Sequence, residues 1–145
     1  MKNLLKLIII YNLIKIIIKI NKINNLIMSK ESIPCKVVLI GETGVGKTSI
    51  ISRYISNTFS SCLAPTPGAN FTTKLSYIQE YDQWVKFEIW DTAGQEKFRS
   101  LAKVFYKNSS VCILVYDITR KISFEELKKY WINEIKLNGS PNLSN

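Results

Sequence analysis

Eight consecutive residues, Gly41, Glu42, Thr43, Gly44, Val45, Gly46, Lys47 and Thr48, have the types and spacing for phosphate chemistry. They read G-x-x-x-x-G-K-T, the pattern of a phosphate-binding loop. The glycines let successive backbone N–H groups converge on an anion. A helix starting at the end of the loop adds its own N–H groups and the positive end of its dipole. Lys47 supplies a point charge for the β- and γ-phosphates, and the Thr48 hydroxyl is placed for Mg²⁺. Ser49 belongs to the same nucleotide-binding run. A chance turn between strand and helix could also hold glycines, but here all four fixed positions match.

A second group follows some forty residues later, at Asp91, Thr92, Ala93, Gly94 and Gln95. An acid at the end of a strand, opposite a phosphate loop, suits a Mg²⁺ contact made through water. Gly94 can bring its backbone N–H against a γ-phosphate, and Gln95 can orient a water for in-line attack. D-x-x-G alone would read as a strand-ending turn; the phosphate loop and Gln95 give it chemistry.

The elements that must position these groups are legible from pattern. Residues 35–40 are apolar and β-branched, of strand length, and residues 48–55 carry apolar positions at helix spacing. Pro65 and Pro67 keep residues 57–68 a loop. Residues 70–78 and 84–90 read as strands joined by a turn at 80–83, hence a hairpin. In the second of these, Val85, Phe87 and Ile89 share one face, and Trp84, Lys86, Glu88 and Trp90 share the other. That places Trp90 among charges on the side facing solvent, either packed under a loop or presented to a partner. Residues 91–103 read as irregular and then helical. Residues 111–117 form a continuous apolar run, as in a parallel strand buried on both faces. Ser123 reads as the N-cap of a helix with Glu125 and Glu126 in its first turn. Phe124, Leu127, Tyr130, Trp131 and Ile135 are its apolar stripe. The order β-α-β-β-α-β-α predicts an α/β fold in three layers, with a mostly parallel sheet and one antiparallel hairpin.

With 145 residues, 46% apolar and 21% charged, the chain is long enough for one domain with a real core. The net charge of +9 is uneven. Residues 1–27 are almost entirely Ile, Leu, Lys and Asn and hold +5, leaving +4 for the rest. So mild an excess gives no case for nucleic acid as partner. The absence of histidine excludes histidine bases and His-ligated metals. Cys35, Cys62 and Cys112 lack metal-ligand spacing and read as reduced thiols of a cytosolic protein.

Residues 1–27 have three readings. Lys6, Asn12, Lys15 and Lys19 interrupt any run long enough to span a membrane. A second reading is a basic amphipathic helix on a membrane surface, since Asn12, Lys15, Lys19 and Lys22 share one helical face. The third reading is a low-complexity leader, with Met28 opening residues 28–145 as the domain.

The run Trp90-Asp91-Thr92-Ala93-Gly94-Gln95-Glu96-Lys97-Phe98-Arg99 resembles the second switch segment of the Rab branch of the Ras-like small GTPases. Val115-Tyr116-Asp117-Ile118-Thr119 is similar to their fourth strand. Phe71, Trp90 and Phe105 match the aromatic triad through which Rabs meet effectors, with Phe105 where Tyr is usual. Asn70-Phe71, residues 86–90 and Ser140-Pro141-Asn142 resemble the early-endosomal subgroup. The resemblance spans residues 33–142 and implies a P-loop NTPase fold of Ras-like type, incomplete on its C-terminal side.

The resemblance also implies roles. Thr66, nineteen residues after Lys47, matches the first-switch threonine that binds Mg²⁺ and senses the γ-phosphate. Phe59, twelve residues after Lys47, stands where the family stacks an aromatic on guanine. Thr43 stands where Rabs carry a small residue. Pro67 replaces an aliphatic residue and holds Thr66 extended. The function implied is GTP binding and hydrolysis, with Mg²⁺ as cofactor. The catalytic groups are Lys47 and Gln95, and the metal is met by Thr48, by Thr66 and, through water, by Asp91. GTP and GDP, effectors, a GTPase-activating protein and an exchange factor are the implied partners. The implied location is the cytosolic face of endosomal membranes, with vesicle traffic as the process. Neither the family's N-K-x-D guanine motif nor its C-terminal lipidated cysteines occur in the sequence. The expectation that follows is a partial domain, marginally stable; the alternative to a working switch is a truncated, non-catalytic fragment or incomplete gene model with weak and poorly base-selective nucleotide binding. A P-loop ATPase or kinase of another family is disfavoured by D-T-A-G-Q and by the Thr66 spacing.

Overall fold

The computed structural model of the chain describes residues 32–94 and 104–139. Strand β1 (Ile33–Ile40) is followed by the phosphate loop and helix α1 (Lys47–Ser56). The hairpin strands β2 (Ala69–Ile78) and β3 (Gln83–Thr92) meet through a short 3₁₀ turn, Gln79–Tyr81, with Asp82 at φ 48°. Strand β4 (Val111–Leu114) leads into helix α2 (Lys121–Glu126). A five-residue π turn, Leu127–Trp131, then runs without a break into α3 (Ile132–Asn138).

The four strands form one sheet in the order β2-β3-β1-β4. β1 pairs in parallel with both β3 and β4, and β2 pairs antiparallel with β3, as the sequence pattern predicts. Alternation along β1 divides the core between the two faces of the sheet. Cys35, Val37 and Leu39 join Val85, Phe87 and Ile89 on the face packed by Ile50, Ile51 and Tyr54 of α1. Val38 and Ile40 join Leu127, Trp131 and Ile135 on the opposite face. Three layers result, with the sheet in the middle. Three cysteines among the described residues, Cys35, Cys62 and Cys112, are free thiols. Burial in the core pushes the Cys35 thiol up to about 11.

Several expectations are corrected. Asp91 and Thr92, read as the start of an irregular segment, close β3, because Thr92 pairs with Ala69 and its hydroxyl donates to Leu39 O at 2.6 Å. The run 111–117 is strand only to Leu114, and Cys112, Ile113 and Leu114 are half-buried. The pairing carries one residue further, Val115 N–H donating to Ile40 O, before the chain turns. Ser123 is not an N-cap. The helix begins two residues earlier, and the fully buried Ser123 hydroxyl instead accepts from Asp117 N–H and reaches Arg120 O at 2.8 Å. Of the apolar stripe, Leu127, Trp131 and Ile135 are buried, whereas Phe124 is exposed. Trp90 is half-buried within the second core cluster rather than simply facing solvent.

Gln95, residues 1–27 and Ser140-Pro141-Asn142 lie outside the described residues. Among the described residues no helix is long and apolar enough to cross a membrane.

Candidate functional site

The loop between β1 and α1 turns on glycines in conformations that side chains avoid. Gly41, Gly44 and Gly46 have φ of 150°, 71° and 94°. Gly41 also lies so close to the end of β4 that a Cβ would stand 2.1 Å from Val115 O. No side chain caps α1, so its first N–H groups are left for whatever enters the space in front of them.

That space is a cavity of about 270 Å³. Thr43, Gly44, Gly46, Lys47, Thr48 and Ser49 form one wall. Phe59, Ser60, Ser61, Leu63, Ala64, Pro65 and Thr66 form another, and Thr92 and Gly94 complete it. Residues that are scattered from 43 to 94 in sequence therefore face one volume. Phe59 stands at its edge with most of its surface exposed.

Lys47 is buried, and its ammonium donates to Gly41 O and Glu42 O, both at 2.8 Å. Burial lowers its pKa from the ordinary 10.5 to about 8, and the nearby Asp91 and Glu42 carboxylates oppose the shift. The cation sits between two carbonyls of the loop on the cavity wall, where a phosphate would supply a countercharge that offsets the loss of solvent.

Below Lys47 three side chains meet. Thr48 Oγ1 donates to Asp91 Oδ2 at 2.6 Å, and Thr66 Oγ1 lies 3.2 Å from the same oxygen and 3.0 Å from Thr48 Oγ1. Asp91 Oδ1 is buried with no hydrogen-bond partner. An orphaned carboxylate oxygen beside two hydroxyls is a donor set that suits a hard cation such as Mg²⁺ or one of its waters. Among the described residues no three His, Cys, Asp or Glu side chains cluster as a metal cage. A metal here would rest on hydroxyl and substrate oxygens with one carboxylate nearby, as Mg²⁺ tolerates.

Gly94 packs against the loop from the cavity side. A Cβ there would stand 2.4 Å from Glu42 C and Thr43 N. Val45 and Glu42 are in the loop but turn away from the cavity, Val45 into the core and Glu42 towards Trp131 Nε1 at 3.3 Å. The aromatic residues Phe71, Trp90 and Phe105 lie apart from the cavity as a continuous row. Their ring centroids are 4.9 Å and 5.3 Å apart, with Phe71 half-exposed at one end.

Two contacts to the loop have no signal in the sequence. Arg120 Nη2 donates to Thr43 O at 2.8 Å across a separation of 77 residues, and Trp131 reaches Glu42 across 89. Trp131 was legible only as part of an apolar stripe.

A Ras family model matches residues 36–144. Human Ras-related protein Rab-22A is 47% identical over 108 residues, covering 74% of this chain and 54% of that protein. RabC of Dictyostelium discoideum is 47% identical over 106 residues, covering 73% of this chain and 54% of its own. Human Rab-31 is 47% identical over 108 residues, with the same coverage as Rab-22A. The chain spans about half the length of the curated relatives it matches.

Proposed function

The chain belongs to the Ras family, and from that premise we propose that it is a GTP-binding and GTP-hydrolysing switch of Rab type, regulating endosomal membrane traffic through effector binding. The observation that carries the proposal is the meeting of Thr48, Thr66 and Asp91 beneath Lys47, with one carboxylate oxygen left open. Residues from the start of α1, the loop before β2 and the end of β3 converge there. A simple anion site needs only the first of these.

On this reading the amides of residues 43–49 and Lys47 receive the phosphates. Thr48 and Thr66 would hold Mg²⁺ there, and the metal would supply positive charge against the charge that develops on the phosphates. Thr48 and Thr66 offer their hydroxyls to the metal site, and Asp91 holds both hydroxyls and a water. Phe59, on the rim, stacks on the base. Gln95, next after Gly94, orients the attacking water. No protein group bonds covalently to the nucleotide, so catalysis is positioning and electrostatics, and unaided turnover is slow. A GTPase-activating partner would supply an arginine and an exchange factor would release GDP.

The same contacts make the hydrolysis a signal. Thr66 is held by Thr48 and Asp91, and Gly94 lies on the loop backbone. Loss of the γ-phosphate removes a shared partner of both segments. Phe71 and Trp90 lie on the strands that adjoin them, so with Phe105 they form the surface an effector would read.

Residues 28–145 form the switch domain in this proposal. The basic face of residues 1–27 favours attachment to an anionic membrane surface. Replacing Lys15, Lys19 and Lys22 by Glu should lower flotation of the full chain with phosphatidylserine vesicles; equal flotation contradicts the attachment.

The enzymatic reading is tested by phosphate release from GTP by the full chain, with ATP as competitor. Slow release from GTP that tenfold excess ATP leaves unchanged supports it. No release over many hours, or equal inhibition by ATP, contradicts it.

A further inference from the structure

The loop segment Glu42-Thr43 is gripped from two sides. On the cavity side lies Gly94, where a Cβ would stand 2.4 Å from Glu42 C and Thr43 N. On the other side are Arg120, at the entrance to α2, and Trp131, in the π turn. Arg120 Nη2 donates to Thr43 O at 2.8 Å, while its Nε lies 3.6 Å from Asp117 Oδ2. The other oxygen of Asp117 accepts from Thr119 N–H at 2.9 Å and from Thr119 Oγ1 at 2.7 Å. The guanidinium is thus aimed by a carboxylate that is itself held. Trp131 is buried, and its indole N–H donates to Glu42 Oε1 at 3.3 Å.

A trans peptide is rigid, and its C=O and N–H point in opposite directions. Fixing the Thr43 carbonyl on Arg120 therefore fixes the direction of the Gly44 N–H, away from Arg120. Gly44 and Thr43 line the cavity and Arg120 does not. Gly44 has φ 71°, in the region where glycine rotates freely, so the loop itself does little to hold this plane.

We propose that Arg120 is a positioning residue: by holding the Thr43 carbonyl it aims the Gly44 amide at the phosphates of the bound nucleotide and slows their release. The Trp131 indole holds the side chain of Glu42, one residue earlier, as part of the same brace. The inference rests on the nucleotide site proposed above. It assigns Arg120 no contact with phosphate, which distinguishes it from an arginine that stabilises the transition state directly.

The test is the dissociation rate of a fluorescent GDP from the full chain with Mg²⁺, together with the ¹⁵N–¹H resonance of Gly44. Arg120→Ala should release GDP about tenfold faster or more, as expected for one lost hydrogen bond to a charged group. The Gly44 resonance of the GDP complex should move towards its nucleotide-free position. Arg120→Lys, which keeps a donor, should restore much of both. The inference is overturned if the wild-type chain retains GDP and Arg120→Ala releases it at the same rate. It is overturned too if faster release comes with an unmoved Gly44 resonance. A wild-type chain that binds no GDP refutes the nucleotide site itself, and the brace with it.

Discussion

Replacing Gly94 by alanine adds a single methyl group where β3 ends against the phosphate loop. The new Cβ would stand 2.4 Å from Glu42 C and Thr43 N and 2.5 Å from Glu42 O. Ordinary contacts lie at 3.4–4 Å, so the two segments must part by about 1 Å. All three atoms met are backbone, and no rotamer change relieves them. Overpacking of this kind costs about 1–3 kcal/mol. If the phosphate loop gives way, that strain appears as roughly five- to 150-fold weaker nucleotide binding, at 1.4 kcal/mol per tenfold. If residue 94 gives way, nucleotide-free stability is kept and, on the proposed role of the Gly94 amide at the γ-phosphate, the loss falls on GTP more than on GDP. Urea unfolding of the unliganded chain and fluorescent GTP and GDP titrations separate the two cases. Gly94→Ala with the wild-type urea midpoint and both wild-type affinities would refute the close approach and its role.

Two other outcomes follow from groups in and beside the site. Lys47 has a folded pKa of about 8, below its unfolded 10.5. Below pH 8 both states hold the proton; between pH 8 and 10.5 the unfolded state holds more, so unliganded stability should rise across that window, by on the order of 3 kcal/mol in all. Nucleotide affinity should do the reverse, falling above about pH 8 as Lys47 loses the charge that meets phosphate; pH series of urea midpoints and GDP affinities check both signs. Trp90→Ala removes the middle ring of the Phe71–Trp90–Phe105 row, and should cost about 2–3 kcal/mol by thermal unfolding while leaving GDP affinity within about twofold.

Much of this was legible in the sequence because local and global demands agree. The glycine and lysine spacing of residues 41–48 can be satisfied only by a turn between strand and helix, and the structure has one there. Alternation in 84–90 gave the faces of β3 correctly. The legible signals failed where a long-range contact decides. Ser123 has the chemistry of a cap, but the turn after β4 needs its hydroxyl for Asp117 N–H. Asp91 and Thr92 look like turn residues, yet a buried carbonyl, Leu39 O, and the β2 partner hold them in strand. Trp90 looks solvent-facing by period, but its neighbours on the sheet are Val38 and Cys112 in register, and the second cluster takes it in. Arg120 and Trp131 touch the loop over separations that no local pattern encodes.

The Mg²⁺–triphosphate site proposed at Thr48, Thr66 and Asp91 is tested by the GTP affinity of the full chain with Mg²⁺ and with excess EDTA, for the wild type and for Asp91→Asn. Mg²⁺ should tighten GTP binding to the wild type, and Asp91→Asn should need about 10–100-fold more Mg²⁺ for the same effect. Equal GTP affinity with Mg²⁺ and EDTA in the wild type, or an unchanged Mg²⁺ requirement in Asp91→Asn, would contradict it.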